Sequence, residues 1–309
     1  MLEILIWLEK KIAEIDFGDL VSFTIPDPDL REKCSPEIPS KSNTSTPLYH
    51  SWKAWNDLAE LLYCRILTPQ PLDNDELLLY YRKLDPSNSF HRSSDPDKRE
   101  KYGTKSLFAT IRKNEESSFL FPFRRALQKV GIAERKTVLD LGVNSGDEFE
   151  LIRMMVKESA FEELQLIGID HSGSAIEEAK TRFPEENITF HRHDINRLDE
   201  LSLPKADLIL SIGTLQSPGI DFKPLFMSLI QNYLSENGAI LLGFPNCRWI
   251  DGEMIYGATA PNYNFPEMSL VIKDIYFCKK YLQQHRFRVT ITGKDYLFLT
   301  ATKIDRKQP

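Results

Sequence analysis

VLDLGVNSGDE, residues 138–148, reads as an apolar strand that ends in an acidic residue, a glycine-bearing turn and the start of a helix. Asp140 stands two positions before Gly142, and Gly142, Asn144 and Gly146 occupy alternate positions. A turn of this kind brings backbone N–H groups to the C-terminal edge of a parallel sheet, where open α/β sheets bind their ligands. The spacing excludes a dinucleotide fingerprint, which requires G-x-G-x-x-G. Taken alone, the segment is also compatible with a plain strand-to-helix turn.

Outward from this segment, short apolar runs alternate with amphipathic stretches at the cadence of an α/β fold. The pattern predicts strands at 137–141, 164–170, 188–192, 206–212 and 239–244, and helices at 148–159, 174–183 and 224–234. A further helix near 268–285 and two strands, 288–292 and 297–302, follow. The second strand, LIGID, ends at Asp170 just before a helix, where a carboxylate can accept two hydroxyl hydrogen bonds. The alternative is a helix cap, although Ser172 or Ser174 would serve equally well.

In these features the chain resembles the class I S-adenosylmethionine-dependent methyltransferases, whose first motif is an acidic residue followed by G-x-G-x-G. The resemblance covers about residues 137–303. It implies a Rossmann-like, mostly parallel seven-stranded sheet with flanking helices and an antiparallel last strand, and S-adenosylmethionine as cofactor. Asp140, Gly142, Asn144 and Gly146 would form the loop beneath the cofactor, with Asp170 on the ribose. Asp194, at the end of ITFHRHD, would receive the adenine amino group, Ile195 would cover the base, and Ser211 opens the segment to Gln216 that forms the active-site floor. One departure is plain: the middle glycine of the family pattern is Asn144 here. Asn tolerates a left-handed backbone, so the turn survives, but its side chain would crowd the methionine moiety. The floor is not of the Asn/Asp-Pro-Pro-Tyr type used by many base-amine methyltransferases.

The remainder of the 309 residues bounds the function. A formal charge of −6 gives no global attraction to a phosphate backbone. Against that, residues 98–135 hold ten Lys/Arg and four Asp/Glu, a local excess that would suit a cofactor carboxylate, an anionic substrate or RNA, or would simply be a solvated basic helix. Cys34, Cys64, Cys247 and Cys278 form no paired spacing, which argues for a reducing, cytoplasmic setting and against a zinc site. Cys247, without a His/Asp partner in its pattern, reads as a packing residue. His191 and His193 offer no third ligand, so no metal is expected. The loop 245–267 carries Trp249, Tyr256, Tyr263 and Phe265, which either pack the loop down or shape an apolar acceptor pocket.

Residues 1–100 are expected to be a helical appendage, with 101–309 forming the methyltransferase domain. Leu2, Leu5, Leu8, Ile12 and Ile15 recur at helical spacing in a run too short for a bilayer, a second helix is predicted at 51–66 and a third at 73–84, and loops rich in Pro and Ser fill 24–48 and 86–99. The leading function is methyl transfer to a small molecule or metabolite. The alternatives are RNA methylation through the basic segment, or a non-catalytic S-adenosylmethionine-binding protein. No general base is identified, Tyr102, Lys105 and Tyr256 being residues whose chemistry permits the role, and the oligomeric state is not legible.

Overall fold

The computed structural model describes residues 1–30, 50–73, 75–89, 100–259, 263 and 265–304. The chain divides into two units, Met1–Ser89 with Trp249–Tyr256, and Phe90–Arg248 with Gly257–Pro309.

The first unit is not helical throughout. Helices α1 (Leu2–Glu14) and α2 (Trp52–Leu61) accompany strands β1 (Leu20–Pro26), β2 (Cys64–Ile66), β3 (Gln70–Pro71) and β4 (Glu76–Lys83). Strand β4 pairs antiparallel with the other three. The helix expected at 73–84 is therefore corrected to a strand. Its apolar run is read in steps of two, with Leu77, Leu79 and Tyr81 buried and their neighbours more exposed. That alternation is the strand period, and a continuous Leu-Tyr run does not reveal it. Trp55, Leu58, Leu79 and Tyr81 join Leu8, Ile12 and Ile25 in one core. The Tyr81 hydroxyl donates to the Trp55 carbonyl at 2.6 Å. Most of the 24–48 loop and of the 86–99 loop lies outside the described residues, as does Cys34.

In the second unit, α3 (Ser117–Lys129) precedes β5 (Thr137–Leu141), α4 (Asp147–Met155), α5 (Glu158–Glu163), β6 (Gln165–Asp170), α6 (Gly173–Arg182), β7 (Ile188–Arg192), β8 (Ala206–Ile212), α7 (Phe222–Ser228) and β9 (Leu234–Pro245). A hairpin, β10 (Cys247–Ile250) and β11 (Glu253–Tyr256), falls largely in the first unit, and α8 (Ser269–Gln284), β12 (Phe287–Thr292) and β13 (Tyr296–Lys303) complete the second. The seven strands lie in the order β12-β13-β9-β8-β5-β6-β7. Strands β5 to β9 pair in parallel, and β13 runs antiparallel to β9 and β12. This is the Rossmann-like sheet expected from the sequence, with its antiparallel strand. Its central strands are buried nearly throughout, as a parallel sheet covered on both faces requires.

Two expected helices differ in detail. The 148–159 segment breaks at Val156, whose extended backbone separates α4 from α5. The 224–234 segment ends in a π-helical turn, and the strand expected at 239–244 begins earlier, β9 starting at Leu234. The strand order reverses at β5, with β6 on one side and β8 on the other. The crevice at such a reversal, beyond the carboxyl ends of the strands, is where an α/β sheet holds a ligand.

Candidate functional site

The turn after β5 is built from three left-handed residues, Gly142 (φ 81°), Asn144 (φ 47°) and Gly146 (φ 89°). Gly142 is required by contact as well as by conformation, since a Cβ there would meet the Thr214 hydroxyl oxygen at 1.9 Å. Gly146 lets α4 start against the Phe183 ring, 2.6 Å from where its Cβ would stand. The Gly142 and Val143 N–H groups both donate to the Ile169 carbonyl, at 2.8 and 3.2 Å, which pins the turn to the end of β6. Asp170 completes the junction: its Oδ2 accepts from the Asn144 N–H at 3.0 Å and its Oδ1 from the Ser172 N–H at 2.9 Å.

Across this junction runs the segment 100–111. The Tyr102 carbonyl accepts from the Asn144 side-chain amide at 2.7 Å, and the Tyr102 phenol is hydrogen-bonded to Ser217, in the loop after β8. Glu100 grips the start of α6: one carboxylate oxygen accepts from the Gly173 N–H at 2.8 Å and the other from the Ser172 hydroxyl at 3.1 Å and the Ser174 hydroxyl. These hydrogen bonds, Ser174 foremost, pull the Glu100 carboxyl below its usual range. Burial, with the Asp170 charge adding to it, pushes the Tyr102 phenol up, so it is neutral at physiological pH.

Beneath the turn lies a buried ionic cluster. Lys113 Nζ stands 2.6 Å from Glu148 Oε1. Burial pulls the ammonium down, but the Glu148 and Asp147 carboxylates more than offset it. Asp140 is 1% exposed and Glu148 2% exposed. Neither Asp140 oxygen has a hydrogen-bond partner among the described residues. Burial, then the Glu148 charge, raises the Asp140 carboxyl well above its usual value, with Lys113 opposing. Glu148 has Lys113 in contact and Asp140 has no such partner, so of the two carboxyls Asp140 is the one held further up.

Other sequence-singled residues fall differently. Asp194 is exposed, and its Oδ1 accepts from the Asn196 N–H at 2.9 Å, capping the short helix Ile195–Glu200. Ile195, next in the chain, is 5% exposed and belongs to the core cluster that includes Leu139, Leu141 and Ile167. Ser211 is 2% exposed and donates to the Leu141 carbonyl at 3.1 Å, tying β8 to β5. Trp249 is buried, Cys247 likewise, and Tyr256 belongs to the first unit, whereas Tyr263 and Phe265 are exposed with their rings edge to face at 5.8 Å. Within the basic segment, Lys98 and Arg99 lie outside the described residues, Arg135 donates to the Val130 carbonyl at 2.6 and 2.8 Å, and Arg124 and Arg125 are exposed on α3. His191 and His193 enter no group of three or more side chains suited to a metal among the described residues.

A family model described as a methyltransferase domain matches residues 132–286, half of the chain. The chain belongs to this methyltransferase family. S-adenosylmethionine is accordingly its cofactor. Among solved structures the methyltransferase is similar to a ribosomal protein L11 methylase from Lactobacillus delbrueckii subsp. bulgaricus (14% identity, 59% of this chain and 76% of that one, TM-score 0.38). It is similar also to precorrin-6y C5,15-methyltransferase from Geobacter metallireducens GS-15 (14%, 63% and 93%, 0.41). A third is an S-adenosylmethionine-dependent methyltransferase from Aquifex aeolicus (15%, 72% and 100%, 0.41). No curated protein sequence matches the chain.

The chemistry of the methyltransferase junction suits that cofactor. A cationic ammonium would satisfy the orphaned Asp140 oxygens, and each Asp170 oxygen, accepting one backbone N–H, retains capacity for a second donor. Sequence reasoning missed Glu100 and Lys113. Glu100 meets residues more than seventy positions away with no motif to announce them. Lys113 had no local signal either, because its partner Glu148 is one of three acidic residues in the first turn of α4 and only the structure shows it to be the buried one.

Proposed function

We propose that this methyltransferase acts on a small molecule, with Asp140, Gly142, Asn144, Gly146, Asp170 and Asp194 as its cofactor-binding set. The cofactor supplies a sulfonium methyl, an electrophile with a neutral thioether leaving group. In this reading the unpaired Asp140 carboxyl receives the cofactor ammonium, Asp170 the ribose hydroxyls and Asp194 the adenine edge, while the left-handed turn, whose N–H groups from Gly142 to Gly146 are satisfied within the protein, shapes the surface beneath the ligand. What the chain contributes to the transfer is positioning and exclusion of water around the acceptor. Tyr102, held neutral, is suited to donate or accept a hydrogen bond to an acceptor and unsuited to remove a proton from it.

The observation that carries the small-molecule reading is the span of Tyr102, which reaches from Asn144 on one side of the crevice to Ser217 on the other. A crevice bridged in this way favours a compact acceptor over a polymer strand. RNA remains the second reading because Arg124 and Arg125 stand exposed on α3, with the Arg125 guanidinium 4.4 Å over the exposed Phe121 ring, a pairing of charge and aromatic surface that suits nucleic acid.

Methyl-labelled cofactor incubated with the protein and size-fractionated cell extract tests both. Label in the small-molecule fraction supports the proposal. Label in an RNase-sensitive fraction, retained less as salt rises and lost in an Arg124/Arg125 double alanine variant, overturns it in favour of RNA. Cofactor binding without transfer to any fraction would leave a binding protein.

A further inference from the structure

Asn144 stands where the family pattern has glycine, and its side chain does not lie idle over the turn. Its Nδ2 donates to the Tyr102 carbonyl while its Oδ1 accepts from the Ser145 N–H at 2.9 Å, so both ends of the amide are used. The same strap is fixed a second time by Glu100 on the start of α6 and by the Thr104 N–H, which donates to the Ser174 hydroxyl at 3.1 Å. Gly103 makes the close passage feasible, since a Cβ there would fall 2.2 Å from the Glu100 carboxylate and 2.5 Å from the Ser174 hydroxyl. Helix α6 does not depend on Glu100 for its cap, because the Ser172 hydroxyl accepts from the Ala175 N–H. The contacts of Glu100 therefore serve the strap.

We propose that Asn144 and Glu100 are positioning residues that latch the 100–111 strap over the cofactor crevice, so that cofactor exchange requires the strap to detach. The inference rests on the cofactor assignment made above. It accounts for the departure from glycine: a glycine would preserve the left-handed turn but could not reach Tyr102. The two anchors act at different points of the strap. Asn144 holds it to the turn after β5 and Glu100 holds the preceding residues to α6, while Ser217 fixes the phenol across the crevice.

The test uses the full-length protein and two variants, Asn144→Gly, which suits the positive φ, and Glu100→Ala, which leaves the Ser172 cap of α6. Amide hydrogen exchange over residues 100–111 is measured beside the association and dissociation rates of S-adenosylhomocysteine. Each variant is expected to exchange faster in the strap alone and to raise both rate constants, by about fivefold for Asn144→Gly, the factor for one lost hydrogen bond of about 1 kcal/mol. The dissociation constant is expected to change less than either rate. Unchanged strap exchange in folded variants overturns the latch. Faster strap exchange with unaltered cofactor rates overturns the gate. If S-adenosylhomocysteine binds neither parent nor variants, the cofactor assignment fails and takes the gate with it, while hydrogen exchange still decides the latch.

Discussion

Asp140→Asn separates what this residue does for the fold from what it does for the ligand. The carboxyl is buried without a partner, faces the Glu148 and Asp170 charges, and has only Lys113 to oppose them. Its proton affinity is thus higher in the folded chain than in the unfolded one. For a carboxyl raised in this way, the stabilising contribution is complete below the unfolded value near 3.8 and is lost as pH rises toward the folded value. Over that window one proton costs about 1.4 kcal/mol of stability per pH unit.

Asparagine keeps the shape and removes the titration. The variant is expected to be more stable than the parent at pH 7 to 8 and to approach it, or fall below it, near pH 4. Cofactor binding moves the other way, because the amide cannot pair with an ammonium. A lost hydrogen bond to a charged group, about 1.5–3 kcal/mol, corresponds to roughly 10- to 150-fold weaker S-adenosylhomocysteine binding. Urea unfolding from pH 4 to 8, with and without that ligand, reads both effects. A ligand-free variant less stable than the parent at pH 8 would refute the buried-proton argument. Unchanged affinity would remove Asp140 from the cofactor site.

Asp170→Ala is expected to weaken S-adenosylmethionine binding by about 1.5–3 kcal/mol and also to lower the unfolding temperature, since the Asn144 and Ser172 N–H groups lose their acceptor; calorimetry on the folded variant with unchanged affinity would reject the ribose role. Lys113→Met leaves Glu148 buried and unpaired, a loss of about 3–5 kcal/mol at neutral pH. Burial raises the Glu148 carboxyl, so this loss is expected to shrink as acid protonates it, and urea unfolding that finds an equal loss at pH 4.5 and 7.5 would place the Lys113 contribution outside the ion pair.

Strands that are largely apolar and buried were legible because both faces of a parallel sheet are covered, and 137–141 and 206–212 coincide with β5 and β8, while the edge strand β7 coincides with 188–192 although its burial alternates. The same continuous apolarity misled at β4, where one face packs on α1 and α2 and the Leu-Tyr run conceals an alternation that only burial displays. The 245–267 loop illustrates a second limit. Its aromatics look alike in sequence, yet Trp249 and Tyr256 belong to one compact unit while Tyr263 and Phe265 belong to the other, and no local pattern encodes that division.

Asn144 marks where local reasoning about a site stops. Backbone sterics correctly predict a left-handed turn that tolerates Asn, and the observed φ of 47° agrees. The expectation that its side chain crowds the cofactor took the turn by itself and did not foresee the partner that the amide finds. The amide reaches a carbonyl forty-two positions earlier in the chain, in a segment whose composition suggested a grip on an anion or a solvated basic helix and gave no sign of a contact with the turn. Lys113 and Glu100 show the same redistribution: each charge counted in that segment as part of a surface excess or its balance, yet one is consumed by Glu148 and the other by the start of α6. Because one charge of each sign is withdrawn, the net excess of the segment is unchanged, and what it offers an anionic partner rests on cations that stay exposed, Arg124 and Arg125 among them.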